Sequence, residues 1–325
     1  MDKAQLQRAF VDAYHQGDEA RAREWLRQLG ARPRTVLEAL FEEPDAIVRQ
    51  AAAFGLGELG GAASVRRLEQ QLALEEARGD HDAASVIEAI TDALGRIAEA
   101  SARVGLLRQV ERLPGAKTAP ADVNTLARAL WRRRHPEILL AVQRALGRLT
   151  MPTAASLRGL AVLLEKSPEE LGVWVEDPAV SIEQKAEVLT VLEEEVPDTL
   201  VPVLPAFIFT ASVQAPLAVH ERGEASYYCE RLFILLFLHA ERVIPALTAA
   251  ARAELRGMAR TLVAAKSQRC ALRAVSMLQF VGQSEDLALL EAHRPEDATL
   301  AAVFDDVARA VRHRAAQIPP VGSAD

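Results

Sequence analysis

The chain has 325 residues, a formal net charge of −7 and a hydrophobic content of 50%, with only 5% aromatic residues. The hydrophobic content excludes a largely disordered chain, and the acidic balance disfavours a protein that follows nucleic-acid phosphates over an extended surface. Apolar residues recur at steps of three and four, while Gly and Pro stand mostly between these patterns, so we expect an all-α protein.

The chain opens with two predicted helices, residues 3–16 and 18–29, which are broken at Gly17-Asp18 and followed by Gly30 to Pro33. An exposed end of a stack of helices needs a terminal unit that covers its apolar face. We therefore predict that residues 1–30 form a helical hairpin cap.

The clearest helix signature follows between Pro44 and Gly61. Asp45 can cap a helix that begins near residue 46, because its carboxylate can accept hydrogen bonds from the free N–H groups of residues 47 and 48. Gly60-Gly61 then ends the helix. Its small and apolar residues share one face, where a neighbouring helix can approach closely: Ile47, Val48, Ala51, Ala52, Gly55, Leu56 and Leu59.

This pattern returns 38 residues later and, more weakly, after 90 and 222 residues. The spacing is close to the roughly 40–47 residues of a helix-pair repeat. The first recurrence consists of Val86, Ala89, Leu94, Gly95 and Ile97. Residues 33–112 resemble the HEAT-repeat family, an armadillo-like α-solenoid family, and match its second-helix pattern at Asp45, Val48, Arg49, Ala52, Ala53 and Leu56-Gly57.

The resemblance implies an α–α superhelix of about seven helix pairs, with the solenoid at 31–316. The last residues, 317–325, are expected to form a disordered tail. The resemblance also implies that Asp45 and Arg49 stabilise the stack through contacts between neighbouring repeats. An insertion is expected at 113–120. The remaining helices are predicted at 34–42, 46–60, 63–77, 82–98, 101–112, 121–134, 136–149, 153–165, 181–195, 199–211, 223–239, 241–265, 267–281, 284–292 and 297–315.

Charge is distributed unevenly along the chain. Residues 101–158 hold eleven basic and three acidic residues, whereas residues 165–198 hold eleven acidic and two basic residues. The two segments either pair within the molecule or form a bipolar docking surface. Arg252, Arg256 and Arg260 stand four residues apart on one predicted helix, so their like charges repel one another. They require a counter-charge, which comes either from an acidic helix of the chain or from an acidic or phosphorylated ligand.

The apolar stretch 199–219 carries no charge, but each of its three prolines would disrupt a membrane-spanning helix. No N-terminal signal peptide is visible, so we expect a soluble, cytoplasmic protein without membrane insertion. The high Arg content, 33 against 5 Lys, is typical of a GC-rich bacterial genome. Cys229 and Cys270 lie in apolar helical patterns and are expected to be buried thiols.

No catalytic residue, metal site or cofactor is predicted. Deoxyhypusine hydroxylase, a HEAT-like enzyme, holds two irons with several His-Glu dyads, whereas His220-Glu221 is the one adjacent pair in this sequence. We therefore expect a non-enzymatic scaffold or adaptor that binds another protein. The predicted partner-binding residues are Trp131, Arg128, Arg132, Arg133, Arg144, Arg148, Trp174, Arg252, Arg256 and Arg260.

The alternative is a nucleic-acid-binding protein that resembles the HEAT-like alkylpurine DNA glycosylases. Those proteins place tryptophans, an Asp and arginines on a concave surface. Here Trp131, Asp177 and Arg144 or Arg148 could take these roles, because an indole stacks on a base and arginines hold phosphates. The acidic segment beside the basic one makes this alternative the less favoured.

Overall fold

The computed structural model describes residues 3–29, 33–113, 120–150 and 152–317. Within these ranges the chain is mostly α-helical and contains no β-strand, which confirms the prediction of an all-α protein of the α–α superhelix class. Apart from their ends, the predicted insertion at 113–120 and tail at 317–325 lie outside the described residues. The chain divides into two compact units, residues 1–164 and 165–325.

The first unit contains two rows of helices. One row consists of α4, α6 and α8, which pack side by side, and the other of α5, α7 and α9, while α1 packs against both α2 and α4. The cap function of the first hairpin stays a prediction. The helices are α1 (Lys3–His15), α2 (Glu19–Gln28), α3 (Pro33–Leu40), α4 (Ala46–Leu59), α5 (Gly61–Arg78), α6 (His81–Arg96), α7 (Ala100–Arg112), α8 (Pro120–Arg132), α9 (Pro136–Leu146) and α10 (Ala155–Glu165).

Helix α4 begins and ends as its sequence predicts. The Asp45 carboxylate accepts a hydrogen bond of 2.8 Å from the Ile47 N–H, and Gly60 adopts a φ of 62° directly after the last turn. Arg49 does not pair with an aspartate of a neighbouring repeat, although the family resemblance implies such Asp–Arg contacts. It forms a buried ion pair with Glu75 of α5, at 2.8 Å between Nε and Oε1.

Two glycines at equivalent repeat positions let the helices of the first row approach closely. A Cβ atom on Gly57 would lie 3.0 Å from the Ala93 Cα, and one on Gly95 would lie 2.8 Å from the Ala129 Cα. The two glycines are 38 residues apart, the spacing of the sequence repeat. The repeat therefore preserves a backbone-to-backbone contact for which a side chain has no room.

We expect Gly95→Ala to destabilise the first unit by about 1–3 kcal/mol, because the added methyl group forces α6 and α8 apart. This loss outweighs the gain of up to about 1 kcal/mol in helix propensity. Gly172→Ala is the matched control, since a Cβ there meets no atom within 4 Å. Urea unfolding followed by circular dichroism measures both effects, and equal stability of the two variants would contradict the close contact.

The second unit also has two rows. Helices α12, α14, α17 and α19 pack in succession, and α11, α13 and α16 form the other row. A 3₁₀ helix spans Asp198–Val203. The helices are α11 (Pro168–Glu176), α12 (Ile182–Leu192), α13 (Leu204–His220), α14 (Glu224–Leu238), α15 (Ala240–Ala246), α16 (Ala249–Leu262), α17 (Gln268–Val281), α18 (Asp286–Ala292) and α19 (Ala298–Gln317).

Three helix predictions are corrected in this unit. Helix α11 was not predicted, although Ser167 and Glu170 form a capping box at its start. The helix predicted at 199–211 continues to residue 220 with Pro216 inside it. The single helix predicted at 241–265 is two helices, because the chain turns at Leu247 and Thr248 caps α16.

The apolar segment Asp198–His220 is long and apolar enough to cross a membrane by length and composition, and 44% of its most apolar window is buried. Its prolines do not prevent a continuous helix from Leu204 onward, contrary to the sequence expectation. Helix α13 packs against α14 and α16 inside the second unit. This packing is typical of a core helix in a helical bundle.

Candidate functional site

A cavity of about 890 Å³ lies in the second unit between α16, α17 and α19. Its remaining wall is the loop that joins α17 to α18. Four arginines line it, namely Arg252, Arg256 and Arg260 of α16 and Arg314 of α19. The three residues on α16 share one face because they stand four residues apart.

The cavity lies beside α16, which is the last helix of the row of α11, α13 and α16 in the described part of the chain. Helix α18 has 7 residues, half the 14 of α16, and packs against α19. The apolar wall comes from α17 and α19, with Phe280, Val281 and Val311. Gly282 brings the loop close to Val311, since a Cβ on it would lie 3.1 Å from that side chain.

A single buried carboxylate, Asp286, supplies most of the counter-charge. Its Oδ2 accepts from Arg256 Nε at 2.7 Å and from the Gln283 N–H at 2.8 Å, and its Oδ1 accepts from Arg260. Arg256 also donates to Glu285 at 2.9 Å. The predicted intramolecular counter-charge is thus present for Arg256 and Arg260, and it comes from the start of a short helix.

Burial raises the pKa of the Asp286 carboxyl group. Hydrogen bonds from Arg256 and from the Gln283 N–H, together with the positive charges of Arg256 and Arg260, lower this pKa by more than burial raises it. The pKa of Asp286 therefore lies below its ordinary value. Asp286 is therefore ionised at neutral pH. Its side chain is 0% exposed.

Arg252 and Arg314 pair with backbone carbonyl groups. Arg252 donates to the carbonyl of Leu247 at 2.8 Å, at the end of α15, and Arg314 donates to the carbonyls of Phe280 and Leu278 at the end of α17. These bonds place a cation at the negative end of each helix and supply donors to its last carbonyls, of which that of Leu278 also accepts from the Gly282 N–H. Neither guanidinium has a carboxylate partner among the described residues.

The cavity therefore has four guanidinium groups against the carboxylates of Glu285 and Asp286. The Nε atom of Arg314 is buried and finds no hydrogen-bond acceptor in the described part of the chain. Burial lowers the pKa of Arg314, and the nearby charge of Asp286 opposes this change only in part. An anion in the cavity would compensate the excess of two positive charges.

A second, smaller cavity of about 340 Å³ lies in the first unit, among α1, α2, α4, α6 and α8. Arg128 and Arg132, two of the predicted site residues, line it. Three carboxylates line it, of Glu19, Glu88 and Asp92, against the three guanidinium groups of Arg96, Arg128 and Arg132, so the charges in this cavity balance. Burial, followed by the charge of Asp92, raises the pKa of Tyr14 to about 12.

The other predicted site residues of the first unit do not form one surface. Trp131 is 3% exposed and belongs to the core, with Arg134 over its ring at 5.0 Å. Arg133 donates to the carbonyl of Ile97, and Arg148 caps the end of α7 through the carbonyls of Val110 and Glu111. Arg144 is exposed on α9.

In the second unit, Trp174 is half-buried on α11, while the three arginines of α16 line the large cavity. Helical spacing in the sequence predicted these arginines, but it gave no indication of Arg314, Asp286 or Phe280. Asp286 and Arg314 lie 30 and 58 residues from Arg256 in the sequence. Only the tertiary fold brings them together.

The basic and acidic segments each pair with neighbouring repeats of their own unit. In the first unit, Arg108 pairs with Glu69 and Arg132 with Asp92, across 39 and 40 residues. In the second unit, Glu193 pairs with Arg231. Many charges in these segments therefore hold adjacent helices together.

Cys229 and Cys270 are free and buried, as expected. Burial raises the pKa of Cys270 to about 11, and it raises that of Cys229 further. Among the described residues, no group of three or more His, Cys, Asp or Glu side chains is arranged to hold a metal ion.

No family model matches this chain, and no curated protein matches it. A solved structure of human deoxyhypusine hydroxylase in complex with glycerol is similar, with 14% identity and a TM-score of 0.38. The match covers 86% of this chain and 96% of that chain. At this level the similarity concerns the helical fold, and that enzyme's reaction is not assigned to this chain.

The comparison corrects the prediction of function. The sequence predicted a non-enzymatic scaffold, with a nucleic-acid-binding protein as the alternative, and it predicted that the chain is not an enzyme. These predictions are contradicted, because the similar protein is an enzyme. That enzyme is itself a HEAT-repeat-like helical solenoid. This chain is thus an all-helical protein with a solved structural neighbour of the helical-repeat type.

Proposed function

We propose that this chain is a divergent bacterial HEAT-type protein, located in the cytoplasm, whose second unit binds a small anionic ligand. The observation that carries the proposal is the excess of two guanidinium charges over carboxylates around the 890 Å³ cavity. Its volume lies within the roughly 300–1,000 Å³ of small-molecule pockets. The cavity therefore favours a small ligand as the anion.

The available hydrogen-bond donors support the same conclusion. A guanidinium has five N–H donors in a fixed planar arrangement that suits phosphate and carboxylate. Among the described residues, Arg252 donates through Nη1 alone, to the carbonyls of Pro245 and Leu247, and Arg260 donates through Nη1 alone, to Asp286. Both side chains can donate further bonds to an anion.

The arginines are also held in place before any ligand arrives. Arg252 and Arg314 are fixed by helix-end carbonyls, and Arg256 is fixed by Gln283, Glu285 and Asp286. Binding therefore immobilises few additional rotamers, which lowers the entropic cost of association. In the smaller cavity of the first unit, three carboxylates balance three guanidinium groups, so its lining has no comparable excess of charge.

Titration calorimetry with inorganic phosphate tests this function at low ionic strength. We expect one site, with an affinity that falls as NaCl is added. Arg252→Gln removes a charged donor and should weaken binding about tenfold or more. Arg269→Gln is the matched control, because it removes the same charge from an exposed site on α17 outside the cavity.

Two results would overturn the proposal. One is equal weakening by Arg252→Gln and Arg269→Gln, which would attribute binding to general surface charge. The other is the absence of binding for inorganic phosphate and for organic phosphates alike. Thermal unfolding of both variants verifies that each is folded.

A further inference from the structure

The cavity is polar on one side and apolar on the other. The arginines of α16 lie on one side, and Phe280, Val281 and Val311 lie on the other. Phe280 is held by an edge-on contact with Phe237, with ring centroids 5.9 Å apart and planes at 72°. A fixed aromatic ring beside a cationic wall provides a surface on which an apolar group can pack.

The cavity is also much larger than a bare anion. A phosphate ion held by the arginines would fill only a small part of 890 Å³ and would leave the apolar wall in contact with water. Gly257 adds to the open space on the α16 side, because a Cβ there meets no atom within 4 Å. A ligand that fills the cavity needs an apolar portion as well as a charged one.

The charge of the site indicates the type of anion. A carboxylate carries one negative charge, whereas a phosphate monoester carries about −1.5 to −2 at neutral pH, with three acceptor oxygens. The excess of two guanidinium charges matches the phosphate monoester better. Two or more arginines can then donate to separate oxygens of one phosphate group.

On the basis of the proposed anion-binding function, we propose that the ligand is an organic phosphate monoester with an aromatic or similarly bulky apolar group. The phosphate group lies among Arg252, Arg260 and Arg314, and the apolar group lies against Phe280 and Val311. This ligand class uses the charge, the apolar wall and the volume of the cavity together.

Calorimetry with phenyl phosphate, inorganic phosphate and benzoate tests the inference. We expect phenyl phosphate to bind about 30-fold more tightly than inorganic phosphate, because the ring is removed from water on binding. Benzoate has the ring but a single charge, and should bind more weakly than phenyl phosphate. Phe280→Ala should lower the preference for phenyl phosphate over inorganic phosphate by about tenfold.

Two further variants make the test specific. Gly257→Leu places a side chain in open cavity space and should exclude phenyl phosphate, while helix α16 stays folded. Phe209→Ala is the control for Phe280→Ala, because Phe209 is an exposed phenylalanine of α13 outside the cavity lining. Circular dichroism and thermal unfolding verify the fold of each variant.

The outcomes separate the two proposals. If inorganic phosphate and phenyl phosphate bind equally well, or if Phe280→Ala leaves their ratio unchanged, the ligand class is wrong while anion binding stands. If benzoate binds as tightly as phenyl phosphate, the ligand is an aromatic anion of either type and the phosphate assignment is wrong. If none of the three binds, both proposals are overturned.

Discussion

Replacing Arg49 by Met is expected to destabilise the first unit by about 3–5 kcal/mol. Arg49 is 1% exposed and Glu75 is 0% exposed, and their side chains form two hydrogen bonds, of 2.8 and 3.4 Å. Gln71 donates a third, of 2.6 Å, to the same carboxylate. Without the guanidinium, Glu75 is left as a buried charge whose remaining partners are the Gln71 amide and the distant, half-exposed Arg78, at 3.9 Å.

The double variant Arg49→Met, Glu75→Leu tests this reason. Because it removes both charges and keeps most of the volume, we expect it to be more stable than either single variant. Arg27→Met serves as control, since Arg27 and Glu24 form an exposed ion pair, and should cost less than about 1 kcal/mol. Urea unfolding gives all four values. A double variant as unstable as Arg49→Met would show that the unpaired charge is not the cause.

Asp286→Asn is expected to have the second large effect, a loss of about 2–4 kcal/mol in the second unit. The substitution keeps the shape of the side chain but removes the charge that Arg256 and Arg260 share. The Gln283 N–H also donates to this carboxylate, so the loop at the cavity depends on it. Asp305→Asn is the control, because Asp305 pairs with Arg294 on the surface.

The loss of stability caused by Asp286→Asn should become smaller as the pH falls. The folded pKa of Asp286 lies below its unfolded value of about 3.9. The charge therefore stabilises the fold fully above pH 4, and this contribution is lost as the pH falls through the lower, folded pKa. The stability difference between wild type and Asp286→Asn should narrow in acid. A difference that stays constant from pH 7 to pH 3 would contradict this assignment.

The sequence predicted the fold well where local signals and tertiary packing agree. Helix α4 has a cap, an apolar face and a terminal glycine, and its observed ends match the prediction closely. Helix α11 was missed because its surroundings are dominated by acids, although the capping box at Ser167 and Glu170 was visible in the sequence. Pro216 was overestimated as a helix breaker, because neighbouring helices hold α13 together around it.

The candidate site could be predicted only in part. The row at Arg252, Arg256 and Arg260 follows from helical periodicity, and its need for a counter-charge follows from repulsion. Asp286 supplies that charge, and Phe280 belongs to the opposite wall of the cavity. The positions of both residues depend on how α16, α17 and α19 pack. Local sequence patterns carry no information about such contacts. Trp131 was predicted from its basic neighbours to be a partner-binding residue on the surface, but its side chain is buried in the core.

A crystal structure of the protein with phenyl phosphate tests the account most directly. It should show the phosphate group within hydrogen-bond distance of Arg252 and Arg314, with the phenyl ring against Phe280. Its position should agree with the loss of binding in Arg252→Gln and Phe280→Ala. An empty cavity at a phenyl phosphate concentration that saturates binding in solution, or a ligand bound elsewhere on the chain, would contradict the proposed binding site.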